Sequence, residues 1–218
     1  MSRQEEFEPV KGRGYVRAVH SADSLTIQSS SSSDPWEEQV YLAFISAPRV
    51  GNQNKSEEPF AFAARELIRE DLIGRKVDFV IQYILNNRKY ISICLEETHV
   101  TYNWMLVQRG LAKPINTRST SKLYEEIKWI AEDAMERDAN VWCQDADYVE
   151  KNLRKVCYPG DVEYSSQKAL DVSLSRPQPM KAILEYVFNS GFVSVYVYHL
   201  NTVVKMHLAH IYAPNSKD

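Results

Sequence analysis

The chain has 218 residues, 44% of them hydrophobic and 25% charged, which is enough for a core in one or two globular domains. Its net charge of −3 at pH 7 excludes a uniformly basic nucleic-acid binder, although a local basic patch would still serve phosphates. No apolar run approaches the roughly 18 residues needed to cross a bilayer, and the N-terminus, Met1-Ser-Arg-Gln-Glu-Glu6, lacks an apolar signal region.

The first predicted elements are two strands, 13–19 and 24–29, joined by the turn Ser21-Ala-Asp-Ser24. Ser and Asp favour such a turn because their side chains bond nearby backbone amides. Ser29 to Asp34 reads as a loop. From Val40 to Ile45 every position is apolar or aromatic, which predicts a strand covered on both faces. A polar loop from Pro48 to Glu58 follows. Pro59 suits a helix first turn, and Phe60, Ala63, Ala64, Leu67 and Ile68 recur at helical spacing up to a stop at Gly74. Arg65, Glu66, Arg69 and Glu70 fall mainly on the other face.

Val77–Leu85 and Tyr90–Leu95 read as a strand pair around a turn at Asn86-Asn-Arg-Lys89. Tyr102–Gln108 is a short helix closed by Gly110. Leu123, Ile127, Ile130 and Ala134 mark one face of a longer helix over 121–139, ending near Val141-Trp142. Trp104, Trp129 and Trp142 are expected as packing residues. The order of three strands, helix, two strands, helix, short strand, helix predicts an α+β domain built on a small five-stranded antiparallel barrel, partly open, of the OB-fold kind, with packed helices. Residues 143–179 are mixed in charge and contain Pro159-Gly160, Ser165-Ser166 and Arg176-Pro177, which reads as a linker.

The pattern then starts again. Tyr15–Ile27 followed by Val40–Pro48 is matched by Ile183–Val195 followed by Val204–Pro214: strand, small-polar turn, strand, gap, strand, Ala-Pro. A repeat implies more than one copy of one domain type. The second copy stops four residues after its Ala-Pro, so a fragment of a longer protein is expected. Three strands without a covering helix would leave an apolar edge open. The boundaries are 12–142 for the first domain, 143–179 for the linker and 180–218 for an incomplete second repeat.

Glu58-Pro-Phe-Ala-Phe-Ala-Ala-Arg-Glu66, Leu72-Ile-Gly-Arg-Lys-Val77, Arg109-Gly-Leu-Ala-Lys113 and the terminal Val141-Trp142 together resemble the staphylococcal-nuclease-like domain. The Glu-Pro-Phe-Ala version, followed by a linker and a second copy, is similar to the first repeat of Tudor staphylococcal nuclease (Tudor-SN) proteins. The resemblance implies RNA binding, cleavage of structured or edited RNA, membership of the RNA-induced silencing complex, and transcriptional and splicing co-activation. It also implies partners: single- or double-stranded RNA, further repeats and a Tudor domain in the full-length protein, and silencing or transcription proteins, with no membrane.

An active nuclease of this family needs carboxylates to hold Ca²⁺, a carboxylate to activate water, and arginines to neutralise the phosphate. The resemblance places Asp23 at the first metal position, its only retained match. Aligned on Pro48, Tyr41 fills the arginine position, Ser46 the second metal Asp, Ala47 the Thr and Arg49 the catalytic Glu. Tyr90 fills the second arginine position. In the second copy the corresponding residues are Asn189-Ser-Gly-Phe192, His207, Tyr212 and Asn215. One carboxylate is a poor calcium site, so no catalytic residue and no metal are assigned. Ca²⁺ enters only with residual nuclease activity, and the enzyme question stays open. Asp23 also reads, and more simply, as a turn residue bonding its own backbone.

Binding remains. OB-type barrels hold oligonucleotides with aromatic and basic side chains, and the candidates are Tyr41, Arg49, Arg88, Lys89, Tyr90, Lys113 and Arg118, set against ordinary packing tyrosines and a solvated rim. Arg49→Glu and Arg88→Glu are expected to weaken RNA binding. A calcium-dependent RNA endonuclease component and a protein-interaction scaffold are the alternatives. The acidic face of helix 121–139 would repel RNA and suit a protein. The three cysteines, Cys94, Cys143 and Cys157, show no CxxC pairing, which fits a reducing compartment, cytoplasmic or nuclear. His20, His99, His199, His207 and His210 show no compact metal spacing.

Overall fold

The structure is a computed structural model, and it describes residues 9–31, 33–52, 54–96, 98, 100–154, 156 and 179–209. His99, Cys157, His210, Tyr212, Asn215, the second Ala-Pro and linker residues 157–178 lie outside the described residues. The chain divides into two compact units, one of Met1–Val50 and Glu57–Leu153, the other of Gly51–Ser56 and Arg154–Asp218.

In the first unit five strands close into a barrel in the order β1-β2-β3-β6-β5. β1 spans Val10–Ser21, β2 Ser24–Ser29, β3 Glu37–Leu42, β5 Lys76–Leu85 and β6 Arg88–Leu95. Alternate residues fill the interior, as a pleated strand requires: Val16, Leu25, Ile27, Leu42, Val77, Ile91 and Ile93 are buried almost completely. The barrel was expected to be all antiparallel and partly open. It is closed, and the closing step is parallel, with Tyr41 opposite Tyr90 and Leu42 opposite Ile91. Direction dictates this. Three antiparallel strands put β3 parallel to β1; β5 runs antiparallel to β1 and β6 antiparallel to β5, so β6 must run with β3.

The apolar run after Val40 is not one continuous strand. It turns at Ala43–Phe44 and resumes as the short β4, Ile45–Ser46, which pairs with β7, Lys113–Pro114. Phe44 adopts a left-handed backbone with φ 66°. The conformation is costly for a bulky residue, and it is held because the Phe44 ring packs between Tyr83 and Tyr124 at centroid distances of 5.2 and 5.4 Å. The β5–β6 turn is tighter than expected: Asn86 and Asn87 both have positive φ, the two-residue turn that matches strand twist. Arg88 and Lys89 therefore belong to β6 rather than to the turn.

Helix α1 spans Ala61–Leu72 and buries Ala61, Ala64, Ile68 and Leu72. It starts two residues after Pro59, because Phe60 turns inward with φ 66° and sends its N–H to Asn152 O. Arg65 and Glu66 are buried, and Glu66 bridges Arg65 at 3.3 Å and Arg69 at 2.6 Å. Helix α2, Tyr102–Gln108, lies against the barrel through Asn103. That fully buried amide donates to Ala43 O at 3.0 Å and Ile91 O at 2.9 Å, and accepts from Ile93 N at 3.3 Å. Gly110 ends the turn after α2 with φ +63°.

Helix α3, Lys122–Glu136, buries Tyr124, Ile127, Ile130, Ala131 and Ala134. Trp104 and Trp142 pack against the core, but Trp129, expected to pack, points outward and is 70% exposed. A fourth helix, α4 Ala146–Lys151, lies in the stretch read as linker, with Asp145 capping its first N–H groups and Tyr148 meeting Phe60. Among the described residues no helix is long and apolar enough to cross a membrane.

The second unit contains a three-stranded antiparallel sheet in the order β10-β9-β8: β8 Ala182–Asn189, β9 Phe192–Val197 and β10 Thr202–His207. Asn189 accepts the Gly191 N–H in the first turn. Leu184, Tyr186, Val187, Phe188 and Met206 are exposed on this sheet.

Candidate nucleic-acid interface

The β1–β2 turn presents Asp23 toward the chain that leaves β4. Its carboxylate accepts the Ser21 hydroxyl at 2.6 Å and the Ala47 backbone N–H at 2.8 Å, and its carbonyl accepts the Leu42 N–H at 2.8 Å. The turn reading of Asp23 thus extends to the neighbouring segment: the side chain fastens the start of the 47–58 loop to the barrel. Of the segment it fastens, Ser46, Ala47 and Arg49 are not carboxylates, and Glu58, which lines a cleft with Ser46 and Ala47, is bonded to Arg49. Among the described residues no three His, Cys, Asp or Glu side chains gather. A hard cation needs several anionic or carbonyl oxygens, and a lone carboxylate already holding two donors does not fit calcium.

Tyr41 and Tyr90 face each other across the parallel joint with ring centroids 5.5 Å apart, tilted by 32°. Tyr90 stacks on Tyr83, its cross-strand partner, at 4.6 Å and 15°. Tyr83 continues to Phe44, so the row of rings runs from half-buried Tyr41 into the core. The Phe44 N–H donates to the Tyr83 hydroxyl at 3.5 Å. Burial pushes the Tyr83 hydroxyl up, the bond from Phe44 opposes the rise, and neighbouring Tyr90 adds to it. The exposed Arg88 sets its guanidinium 5.2 Å from the Tyr41 ring centre.

The other candidates separate from this group. Lys89 pairs with Glu38 at 2.5 Å. Arg49 pairs with Glu58 at 3.2 Å, and the two backbones and side chains are further joined by Arg49 N–H to the Glu58 carboxylate at 2.8 Å. Lys113 lies opposite Ser46 and rests 4.3 Å from the Trp142 ring centre. It lines a cleft of about 470 Å³ with Ser46, Ala47, Glu58, Phe60 and Cys143. Arg118 is exposed in the loop after β7. The aromatic pair and Arg88 therefore form one cluster, whereas Arg49 and Lys89 are already neutralised by carboxylates.

Tyr83 is the member that sequence reasoning missed. Its signal was available: counting back from the Asn86–Asn87 turn puts Tyr83 near Tyr90. With a two-residue turn the register runs Leu85 to Arg88, Ile84 to Lys89 and Tyr83 to Tyr90 without a break, and the bulge between Ile81 and Tyr83 comes only beyond that pair. Cys94 and Cys143 are free thiols. Burial raises Cys94, which fits a packing role.

A barrel of this topology with this loop arrangement is the staphylococcal nuclease class of OB-fold. Residues 39–144, just under half of the chain, match the family model described as staphylococcal nuclease homologue. Its curated relatives include Tudor-SN proteins. The chain is 25% identical over 215 residues to "Ribonuclease TUDOR 2" of Arabidopsis thaliana, covering 93% of the chain and 22% of the relative. It is 24% identical over 227 residues to "Ribonuclease TUDOR 1" of the same plant, covering 99% and 22%. "Staphylococcal nuclease domain-containing protein 1" of Drosophila melanogaster is 24% identical over 194 residues, 84% of this chain and 20% of that protein. The chain thus spans about a fifth of the length of these relatives.

Proposed function

We propose that the first unit is an RNA-binding module of a Tudor-SN-type protein acting in RNA silencing and RNA metabolism, in the cytoplasm or nucleus, and that it has lost the calcium-dependent cleavage of its class. The second unit is the start of a second repeat of the same kind. Further repeats, a Tudor domain and the proteins of a silencing or transcription complex are its proposed partners. The observation that carries the reading is the cluster of Tyr41, Tyr90 and Arg88 near a turn carboxylate, Asp23, that is held by Ser21 and Ala47. Such a surface offers ring faces to bases and a cation to phosphate, but no base for water and no cage for a divalent ion.

The test is RNA binding measured across salt, with and without Ca²⁺, with the RNA recovered and sized. Saturable binding with intact RNA in both conditions supports the module. Calcium-dependent cleavage abolished by Asp23→Ala would replace it with the endonuclease, the reading that the relatives' printed names favour. Neither binding nor cleavage would leave a protein-interaction scaffold.

A further inference from the structure

Resting on that RNA-binding reading, we infer that the Tyr41–Tyr90–Arg88 cluster selects RNA in single-stranded form, by stacking an unpaired base on the ring row rather than by gripping a duplex backbone. Three observations on this chain lead there.

The first is rigidity. Tyr41 and Tyr90 sit opposite one another on paired strands, and Tyr90 is braced by Tyr83 at 4.6 Å, which is braced in turn by Phe44 at 5.2 Å. A platform whose inner end is fixed in the core loses little side-chain freedom when a base settles on its outer end.

The second is charge. Gripping a duplex by its backbone depends on many phosphate contacts, and most of the affinity comes from those made by cations. Here Lys89 is occupied by Glu38 and Arg49 by Glu58, so the cluster holds one guanidinium, Arg88, with no carboxylate bonded to it among the described residues. One cation supports one phosphate contact, too few to hold a duplex by its backbone.

The third is shape. Arg88 and Tyr90 share a face of β6 by strand alternation, and Tyr41 joins them from β3. The result is a row of stacked rings whose outer member, Tyr41, carries the Arg88 guanidinium over it at 5.2 Å, so a splayed base would join the row by taking the place of that cation on the ring while Arg88 moves to its phosphate. A paired base has both faces covered by its neighbours in the helix.

The experiment uses the 218-residue chain. Fluorescence anisotropy would compare a labelled single-stranded RNA of about 12 nucleotides, the same strand annealed to its complement, and a version with abasic nucleotides. Single-stranded RNA is expected to bind about tenfold or more tightly than the duplex. Tyr41→Leu and Tyr90→Leu should each lose about tenfold on the single strand and little on the duplex. Tyr41→Phe should keep wild-type affinity, because the ring remains. The abasic strand should bind wild type as weakly as the intact strand binds Tyr41→Leu. Should a Leu variant fail to fold by circular dichroism, the abasic comparison on wild type decides alone. Equal affinity for both strand forms, Leu variants that bind normally, or an undiminished abasic strand would overturn the inference and leave the RNA-binding reading standing. Absence of binding to any RNA would overturn both.

Discussion

The carboxylate of Asp23 accepts the backbone N–H of Ala47 at 2.8 Å, so this acidic side chain works as a clasp between the first turn and the loop after β4. A group held this way acts on stability before it acts on chemistry.

Asp23→Ala should lower unfolding stability by about 1–2 kcal/mol, the range for removing a partner from a part-buried, charge-assisted bond. Asp23→Asn should cost less, since its carbonyl oxygen still accepts from Ala47. Urea unfolding measures both. If the alanine variant is as stable as wild type, and Ca²⁺ raises the melting temperature of wild type only, the carboxylate is a metal ligand and the clasp is incidental.

Arg88 and Arg49 looked equivalent as residue types, and the structure separates them. Arg88→Glu should weaken single-stranded RNA binding by about tenfold, through the lost phosphate contact and added repulsion. Arg49→Gln should change it by less than about twofold, since Glu58 already cancels that charge. Titrations at two salt concentrations should show a shallower salt slope for the Arg88 variant alone. A reversal of the two effects would move the phosphate site to the 47–58 loop.

Gly110 is the turn residue that no other amino acid replaces cheaply. A Cβ built there would stand 2.1 Å from Ala139 O, on a backbone with φ +63°. The carbonyl belongs to the main chain, and Gly110 O itself accepts the Val141 N–H at 2.9 Å, so neither side can retreat freely. Gly110→Ala should cost about 2–4 kcal/mol. A thermal melt within a degree or two of wild type would show that the 108–112 turn adapts.

Tyr102 contributes to alkaline stability. Burial, and then the negative charge of Asp71, push its hydroxyl up to about 12, against the opposing charge of Arg75. The unfolded chain ionises near the ordinary value of 10. The folded state therefore holds its proton longer, and stability is full below pH 10 and falls as pH rises from there toward 12. Tyr102→Phe should flatten that decline in unfolding free energy measured above pH 9 to 11. A variant that declines as steeply as wild type would assign the alkaline loss to other groups.

Much of the domain was legible because its punctuation is local. Asp23, Asn86, Gly74 and Gly110 mark turns, and the apolar spacing of Ala64, Ile68 and Leu72 marks a helix. What was not legible depends on distant partners. The break at Phe44 exists because Tyr83 and Tyr124 receive its ring, and nothing in the run from Val40 to Ile45 announces them. The burial of Arg65 is not legible until Glu66 is seen buried beside it. Helix α4 was hidden because its docking rests on Phe60, far away in sequence, and on Asn140 eight residues before Tyr148. At the site, Tyr41 and Tyr90 were foreseen as neighbours of one pocket, but pairing Lys89 with Glu38 required the strand register.

Asn103 carries a consequence for how such a surface changes over time. Its amide reaches Ala43 and Ile91, immediately behind the joint whose outer side bears Tyr41 and Tyr90. The gauge between the two strands is thus maintained from within, by a spacer that the outward side chains never touch. Substitutions at Tyr41 or Tyr90 can therefore alter what the joint displays while the distance at which it is displayed stays constant.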